Sequence, residues 1–157
     1  MTTDFTQMNL HPTLVQTVAE LGFVSPMPIQ SELIPVMLTG QDVIGQAQTG
    51  TGKTAAFALP LLNNLLPDQA HVQALILTPT RELALQVAEA ISSFGAQMKV
   101  RVLTVYGGQA YGPQIYGLRR GADIVVGTPG RIVDLIQKSI LDISHVRSVV
   151  LDEADEV

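Results

Sequence analysis

Short runs of consecutive apolar, mostly β-branched residues alternate along the chain with segments whose apolar residues recur at helical spacing. The runs are apolar nearly throughout, which is typical of strands that are covered on both faces in a parallel sheet. This pattern predicts strands at Val43–Gln46, Ala74–Thr78, Val100–Tyr106, Asp123–Gly127 and Ser148–Asp152.

Helices are predicted between these strands and before the first of them. The two early helices each have Pro near the start and Gly past the end, as helices commonly do. Strand–helix alternation of this kind produces right-handed crossovers, so we expect an α/β fold with a mostly parallel sheet flanked by helices. The predicted helices are Pro12–Leu21, Pro28–Leu38, Lys53–Asn64, Arg81–Ala96, Pro113–Arg120 and Pro129–Lys138.

Composition favours one globular domain over residues 1–157. The chain has 157 residues, 46% hydrophobic and 15% charged, which is enough to bury a core and too apolar for disorder. Cysteine is absent, which excludes thiol nucleophiles and disulfides. The net charge of −5 argues against a polybasic surface. Any nucleic acid would therefore be held by backbone amides, helix N-termini and a few arginines.

Neither the apolar runs nor the N-terminus suggests a membrane. The runs are far shorter than a bilayer requires, and Met1–Asp4 lacks the basic start of a signal peptide. We therefore expect a cytoplasmic protein. The three histidines, His11, His71 and His145, lie far apart without metal-ligand spacing and are interpreted as surface or structural residues.

The glycine-rich segment Ala47–Thr54 has the chemistry of a phosphate-binding loop, although Ala replaces the usual first Gly. Gly50 and Gly52 would let the backbone curl so that its N–H groups face phosphate oxygens. The helix predicted from Lys53 would favour anions at its N-terminus. Lys53 would reach the β- and γ-phosphates, and the Thr54 hydroxyl would ligate Mg²⁺. The alternative is a plain glycine-rich turn between a strand and a helix.

An acidic cluster, Asp152–Asp155, follows the apolar run Val149–Leu151. Asp152 would hold Mg²⁺ through water, and Glu153 would orient or deprotonate the attacking water. Adjacent carboxylates repel each other, and a divalent cation relieves this repulsion. The alternative is a solvated acidic turn that closes a strand.

Together these segments resemble the DEAD-box RNA helicases over nearly the whole chain. Asp152-Glu153-Ala154-Asp155 spells the family name, and Ala47–Thr54 resembles the family's phosphate loop, which commonly starts with Ala. Gly22–Gln30, with Phe5 upstream, is similar to the family's Q motif. The resemblance implies a RecA-like domain with Lys53, Asp152 and Glu153 as catalytic residues. The implied ATP-binding residues are Phe23, Gln30, Ala47, Gln48, Thr49, Gly50, Thr51, Gly52, Lys53 and Thr54.

The Q-motif resemblance assigns adenine pairing to Gln30 and ring stacking to Phe23. A side-chain amide donates and accepts at once, as the N6/N7 edge of adenine does, so Gln30 predicts ATP over GTP. The alternative is that Gln30 only caps a helix near Pro28. Met27 departs from the family, which often has a small hydroxyl residue there, and this departure is expected to loosen a local cap.

Three further segments are candidates for RNA contact. Pro79–Ala84 and Thr128–Arg131 each place a Thr where it could cap the following helix, and Gly107–Gly108 could admit a ribose or phosphate. On physical grounds alone, an equally good interpretation is that these residues only form the turn between a strand and a helix. The resemblance implies binding of single-stranded RNA by its sugars and phosphates, without sequence preference. The residues implied are Pro79, Thr80, Arg81, Gly107, Gly108, Thr128, Pro129, Gly130 and Arg131.

The resemblance also implies a longer parent chain. Family members continue with a strand ending Ser-Ala-Thr and a second RecA-like domain whose arginines contact the γ-phosphate. We therefore expect an N-terminal fragment, with Q-motif helices over 1–40 and a P-loop core over 41–157, incomplete at its C-terminal end. Alone it should show almost no turnover, and the missing strand could favour a strand-exchanged dimer. A non-hydrolysing RNA clamp and a generic P-loop NTPase are the alternatives.

Overall fold

The computed structural model describes residues 4–48 and 50–157. These fall into two compact units. One comprises the chain up to Leu65 together with Ser93–Lys99, and the other comprises Leu66–Ser92 together with Val100–Val157.

Helices are the only regular secondary structure among the described residues of the first unit. Its elements are a 3₁₀ turn at Phe5–Gln7, helices α1 (Pro12–Glu20), α2 (Pro28–Leu38) and α3 (Lys53–Asn63), and a 3₁₀ turn at Ala96–Met98. Helices α2 and α3 pack against each other. The interior is formed by apolar side chains with no more than 1% of their surface exposed, among them Leu14, Val18, Ile34, Leu59 and Leu62.

The second unit alternates strands with helices. Its elements are β1 (Ala74–Leu77), α4 (Arg81–Phe94, whose last two residues belong to the first unit), β2 (Val102–Val105), α5 (Tyr111–Arg120), β3 (Ile124–Gly127), α6 (Pro129–Gln137) and β4 (Ser148–Leu151). The four strands form one parallel sheet in the order β2-β3-β1-β4. This arrangement confirms the predicted α/β fold class.

The strand residues are buried where neighbouring elements cover them. Val125 of β3 and Leu75 of β1 join Ile132 and Leu135 of α6 in a single apolar cluster. At the end of the sheet, Val149 and Leu151 of β4 are 59% and 53% exposed. Strand β4 pairs only with β1 among the described strands, so one of its edges has no backbone partner there.

Six predicted helices and four predicted strands are confirmed, with ends that differ by at most two residues. The strand predicted over Val43–Gln46 is wrong, because residues 41–48 have no regular secondary structure. Ile44 is 100% exposed. Gly45 runs past α2, where an added Cβ would lie 3.5 Å from the Leu33 side chain. A strand exists only when another strand completes its hydrogen bonds, and no described strand does so here.

Among the described residues, every helix is too short or too polar to cross a membrane.

Candidate functional site

The phosphate-loop segment has the backbone conformation that its glycines predict. Gly50 and Gly52 have φ values of 82° and 80°, a left-handed conformation that glycine adopts without strain. Gly52 is the N-cap of α3, so the helix begins at Lys53 and Ala56 donates to the Gly52 carbonyl at 3.2 Å. The hydroxyl of Thr51 donates to the carbonyl of Gln48. Thr49 lies outside the described residues.

Gly52 also makes a close contact with the Q-motif glutamine. The Nε2 of Gln30 donates to the Gly52 carbonyl at 3.0 Å. A Cβ added at Gly52 would lie 2.3 Å from that nitrogen, so any larger residue would displace the Gln30 amide. The contact joins the first turn of α2 to the loop that precedes α3.

Gln30 caps its own helix as well. Its Oε1 accepts from the Met27 N–H at 2.9 Å, and its side chain is fully buried. Gln30 therefore caps its helix, and whether it also pairs with adenine stays a prediction. Met27 itself makes no side-chain cap bond, so Gln30 provides one half of the cap, and the acceptor that a hydroxyl at position 27 would offer to the Gln30 N–H is missing.

Phe23 lies in an aromatic cluster. Its ring makes edge-to-face contacts with two other rings. The centroid distance is 6.5 Å to Phe5, with the ring planes at 79°, and 5.6 Å to Phe94, with the ring planes at 68°. The side chain is half-buried, so part of the ring remains accessible to a ligand. The predicted stacking on adenine is compatible with this position and stays a prediction.

The donor groups gathered in this segment fit a magnesium-bound triphosphate. Two left-handed glycines, the N-terminus of α3, the cation Lys53 and the hydroxyl of Thr54 follow one another within five residues. Phosphate oxygens prefer such amides and cations, and a hydroxyl oxygen is an acceptable Mg²⁺ ligand.

In the second unit, the parallel register aligns the carboxyl ends of the four strands. Leu77 of β1 pairs with Gly127 of β3 and with Leu151 of β4, and Val105 of β2 also pairs with Gly127. The next residue of each strand therefore lies at the same edge of the sheet. These four residues are Thr78, Tyr106, Thr128 and Asp152, and we call this edge the carboxyl edge.

Two of the predicted RNA segments begin helices at the carboxyl edge. The Thr80 hydroxyl accepts from the N–H of Leu83 at 3.2 Å and caps α4, as predicted. Thr128 is the N-cap residue of α6, as predicted, and has an extended conformation, but its side chain makes no cap hydrogen bond. Because α6 begins with Pro129, its first amide N–H groups belong to Gly130 and Arg131, and no side-chain cap occupies them.

Arg81 and Arg131 are held by aromatic rings at the same edge. The Arg81 guanidinium lies 4.8 Å from the Tyr106 ring centroid, and that of Arg131 lies 4.2 Å from the Tyr111 ring. Such cation–π contacts orient a guanidinium without neutralising its charge.

Gln114 is a residue that the sequence reasoning missed. It is 2% exposed, it accepts from Arg131 Nη1 at 3.0 Å, and it donates to the Tyr106 carbonyl at 3.1 Å. A second nitrogen of Arg131 donates to the Gln109 carbonyl at 3.1 Å. No local pattern marks Gln114, because its partners come from two other parts of the chain.

Tyr111 also lowers the pKa of a nearby carboxylate. Its hydroxyl donates to Asp134, and this bond holds the pKa of Asp134 below its ordinary value. Desolvation opposes the shift, while Lys138, 3.2 Å from the same carboxylate, supports it.

The acidic motif lies at the carboxyl edge where β4 ends. The Asp152 N–H donates to the Leu77 carbonyl at 2.9 Å, and the residue is 4% exposed. Glu153 is exposed and has a left-handed φ of 51°, which is uncommon for a residue with a side chain. Lys53 belongs to the first unit, so the convergence of Lys53, Asp152 and Glu153 on one pocket stays a prediction.

Comparison with known proteins accounts for this combination of segments. The family model described as DEAD/DEAH box helicase matches residues 27–157. The chain belongs to this family. It is 51% identical over 154 residues to the ATP-dependent RNA helicase DeaD of Mycobacterium tuberculosis, covering 98% of this chain and 27% of that protein. It is 52% identical over 157 residues to the RNA helicase CrhR of a Synechocystis strain, covering 100% of this chain and 32% of that protein. The chain thus spans about a quarter to a third of these relatives.

Solved structures of the family have the same fold. A DEAD box protein from Methanococcus jannaschii matches with a TM-score of 0.93 at 43% identity, covering 98% of this chain and 42% of that one. A Saccharomyces cerevisiae Dbp5 variant bound to RNA and ADP BeF3 matches with a TM-score of 0.86 at 32% identity, covering 97% and 38%. The predicted RecA-like fold and DEAD-box membership are confirmed.

Proposed function

We propose that the chain is the N-terminal, ATP-binding half of an ATP-dependent RNA helicase. The observation that carries this proposal is the carboxyl edge, where four parallel strands end level with one another. The segments that follow these strands contain Arg81, Gly107, Arg131 and Asp152. Ligands of open α/β sheets bind outside the carboxyl ends of the strands. Family membership and the names of the relatives support the same activity.

Nucleotide binding would begin at the loop before α3. Backbone amides of Gly50–Gly52 and the N-terminus of α3 would hold the phosphates, with Lys53 on the β- and γ-phosphate oxygens. Thr54 would ligate Mg²⁺ directly and Asp152 through a water molecule, and the ion would neutralise charge on the phosphates. Glu153 would orient the attacking water and accept its proton.

Adenine selection would fall to Gln30 and Phe23. Each polar end of the Gln30 amide has one partner, Met27 N–H or the Gly52 carbonyl. An amide oxygen accepts two hydrogen bonds and an amide nitrogen donates two, so adenine could use the second position at each end once the groups that bury Gln30 move aside. Guanine offers two acceptors on the corresponding edge, which an amide oxygen cannot satisfy.

RNA would bind along the carboxyl edge of the second unit. The N-termini of α4 and α6 would face phosphates, with Pro79–Arg81 and Thr128–Arg131 around them and Gly107–Gly108 admitting a ribose. Such contacts reach sugars and phosphates only, so binding would not depend on sequence. The net charge of −5 supports a small, local contact surface over a broad basic one.

Full activity would require a second RecA-like domain of the parent chain. Arginines that stabilise the phosphoryl-transfer transition state are worth about 10³–10⁵ in rate, so this chain alone would show almost no turnover. In the parent, closure of two domains on ATP and RNA would separate a short duplex, and hydrolysis would reset them. A cytoplasmic location is part of this proposal.

The exposed edge of β4 would be paired in the parent protein. Val149 and Leu151 are exposed there, and unpaired strand edges readily accept another strand. A further strand of the parent chain would fill this position, and in the isolated chain a second copy could do so by strand exchange. Light scattering coupled to gel filtration of the isolated chain tests the exchange, and a monomer at all concentrations rejects it.

The alternative function is a nucleotide-gated RNA clamp that does not hydrolyse ATP. RNA-stimulated ATP hydrolysis by the full-length parent distinguishes the helicase from the clamp, when wild type is compared with Glu153→Gln. The matched control is Glu156→Gln, which removes an exposed carboxylate from the same turn. We expect Glu153→Gln to abolish turnover and Glu156→Gln to retain it. Equal rates for wild type and Glu153→Gln would reject the enzyme.

A further inference from the structure

Two histidines that are 74 positions apart in the sequence stack on each other in the second unit. The His71 and His145 rings are 3.6 Å apart between centroids and inclined by 5°. Sequence spacing gave no sign of this contact, which brings two of the three histidines together, whereas His11 lies in the first unit.

The register of the sheet explains why they meet. Strand β1 pairs with β4 so that Ala74 lies opposite Ser148. His71 lies three residues before Ala74, and His145 lies three residues before Ser148. The pairing extends backwards through the hydrogen bond from Arg147 N–H to the Gln73 carbonyl at 2.8 Å. The histidines thus lie at the amino edge of the sheet, opposite the carboxyl edge.

A carboxylate completes the group. The ligand atoms of His71, Asp142 and His145 all lie within 4.8 Å of one another. Two imidazoles and one carboxylate are a donor set typical of zinc and related divalent ions. Asp142 and His145 are both exposed, so an ion could reach them from solvent.

Ser144 orients two of the three candidate ligands. Its N–H donates to Asp142 Oδ1 at 2.9 Å, which fixes the carboxylate and leaves it a second oxygen to offer. Its hydroxyl lies 3.0 Å from His145 Nδ1. When the Ser144 hydroxyl accepts a hydrogen bond from Nδ1–H, the lone pair of His145 is on Nε2, where it can bind a metal. Metal-bound histidines commonly donate their other ring N–H to an oxygen in this way.

We propose that His71, Asp142 and His145 bind a divalent transition-metal ion of the zinc class, with water as the fourth ligand. Zinc–ligand bonds of about 2.0–2.2 Å place tetrahedral ligand atoms about 3.3 Å apart. The rings must tilt out of their parallel stack so that both lone pairs converge, and imidazole rotation about the Cβ–Cγ bond is soft. A surface pocket of about 210 Å³, lined by both histidines and Ser144, gives room for this movement and for water.

The bound ion would act as a clip between two loops. It would tie the segment before β1 to the segment before β4, the strand at the sheet's end. An ion that binds the folded chain and not the unfolded one stabilises the folded chain by mass action. Because the clip lies at the amino edge, the proposal does not depend on the nucleotide or RNA sites.

The test is a zinc titration of the metal-free chain followed by NMR of the histidine ring signals. We expect Zn²⁺ to shift the His71 and His145 signals together, at one ion per chain, and to leave His11 in place. Mg²⁺ at the same concentration should move none of them, because it prefers oxygen ligands. Equal shifts at all three histidines, or no shift at His71 and His145, would overturn the proposal.

Variants give a second measurement. Zn²⁺ binding should weaken by at least about tenfold in each of three variants, His71→Ala, His145→Ala and Asp142→Asn. Loss of a residue that only hydrogen-bonds to a metal ligand already weakens metal binding by about tenfold. His11→Ala is the matched control and should bind as wild type does. Circular dichroism confirms that each variant is folded. Unchanged affinity in the folded His71→Ala and His145→Ala variants would contradict the site.

Discussion

The side-chain nitrogen of Gln30 donates to the carbonyl oxygen of Gly52 at 3.0 Å, and this bond connects the Q motif to the phosphate loop. Gln30 is fully buried, and its amide oxygen also accepts from the Met27 N–H, so both ends of the amide are held. The side chain expected to read the base is therefore attached to the loop expected to hold the phosphates.

Gly52→Ala should weaken ATP binding by the parent protein and destabilise the first unit. The substitution forces a residue with a Cβ into a left-handed conformation, at about 1–2 kcal/mol. It also displaces Gln30 from the Gly52 carbonyl, at about 1 kcal/mol more. Calorimetric ATP titration and urea unfolding measure the two effects.

Gly50→Ala is the matched control for this contact. Its φ of 82° is nearly the same, but nothing lies within 4 Å of the added Cβ. Gly50→Ala should be destabilised by the left-handed conformation alone, because the hydrogen bond between Gln30 and Gly52 is kept. Equal destabilisation by both variants would mean that the contact with Gln30 contributes nothing.

Gln73→Leu should destabilise the second unit by about 1–3 kcal/mol. Gln73 is 4% exposed, its Oε1 accepts from Leu66 N–H at 2.8 Å, and its Nε2 donates to the Leu66 carbonyl at 2.9 Å. Leucine fills similar space but leaves both backbone groups without these partners. Urea unfolding measures the loss. Gln69→Ala, at an exposed position, should stay within about 0.5 kcal/mol of wild type.

Arg131→Gln should weaken RNA binding by the parent protein to a similar extent for unrelated sequences. The guanidinium is fixed at the carboxyl edge by Gln114, Gln109 and Tyr111, and phosphate contacts carry no sequence information. Loss of one phosphate contact lowers the slope of log affinity against log salt by about 1. Fluorescence anisotropy at several salt concentrations measures this slope. Arg147→Gln, at the amino edge, should leave it unchanged.

Tyr111→Phe should reduce stability in a pH-dependent way. The Tyr111 hydroxyl lowers the pKa of Asp134, so its stabilising effect is present above the ordinary aspartate pKa of 3.8 and is lost as pH falls through the depressed value. The variant should therefore be less stable than wild type near pH 7, and the difference should shrink below about pH 4. Urea midpoints at a series of pH values check this, and a difference independent of pH would show that the hydroxyl does not act through Asp134.

Residue type and spacing by themselves determined the helices, four strands and the segments that carry the family's motifs. Proline at helix starts, glycine after helix ends and unbroken β-branched runs act locally, so they can be interpreted without knowing the fold. The left-handed glycines of the phosphate loop belong to the same class, because the requirement for φ above zero is a property of one residue.

Only the tertiary structure decided the irregular state of Val43–Gln46, the partners of Gln30 and Gln114, and the meeting of His71 with His145. Each depends on which distant segment lies alongside: a strand needs a neighbour, a buried amide needs both its partners, and two histidines meet only through the register of β1 and β4. Local sequence does not encode that choice, because it is made by the free energy of the whole packed chain.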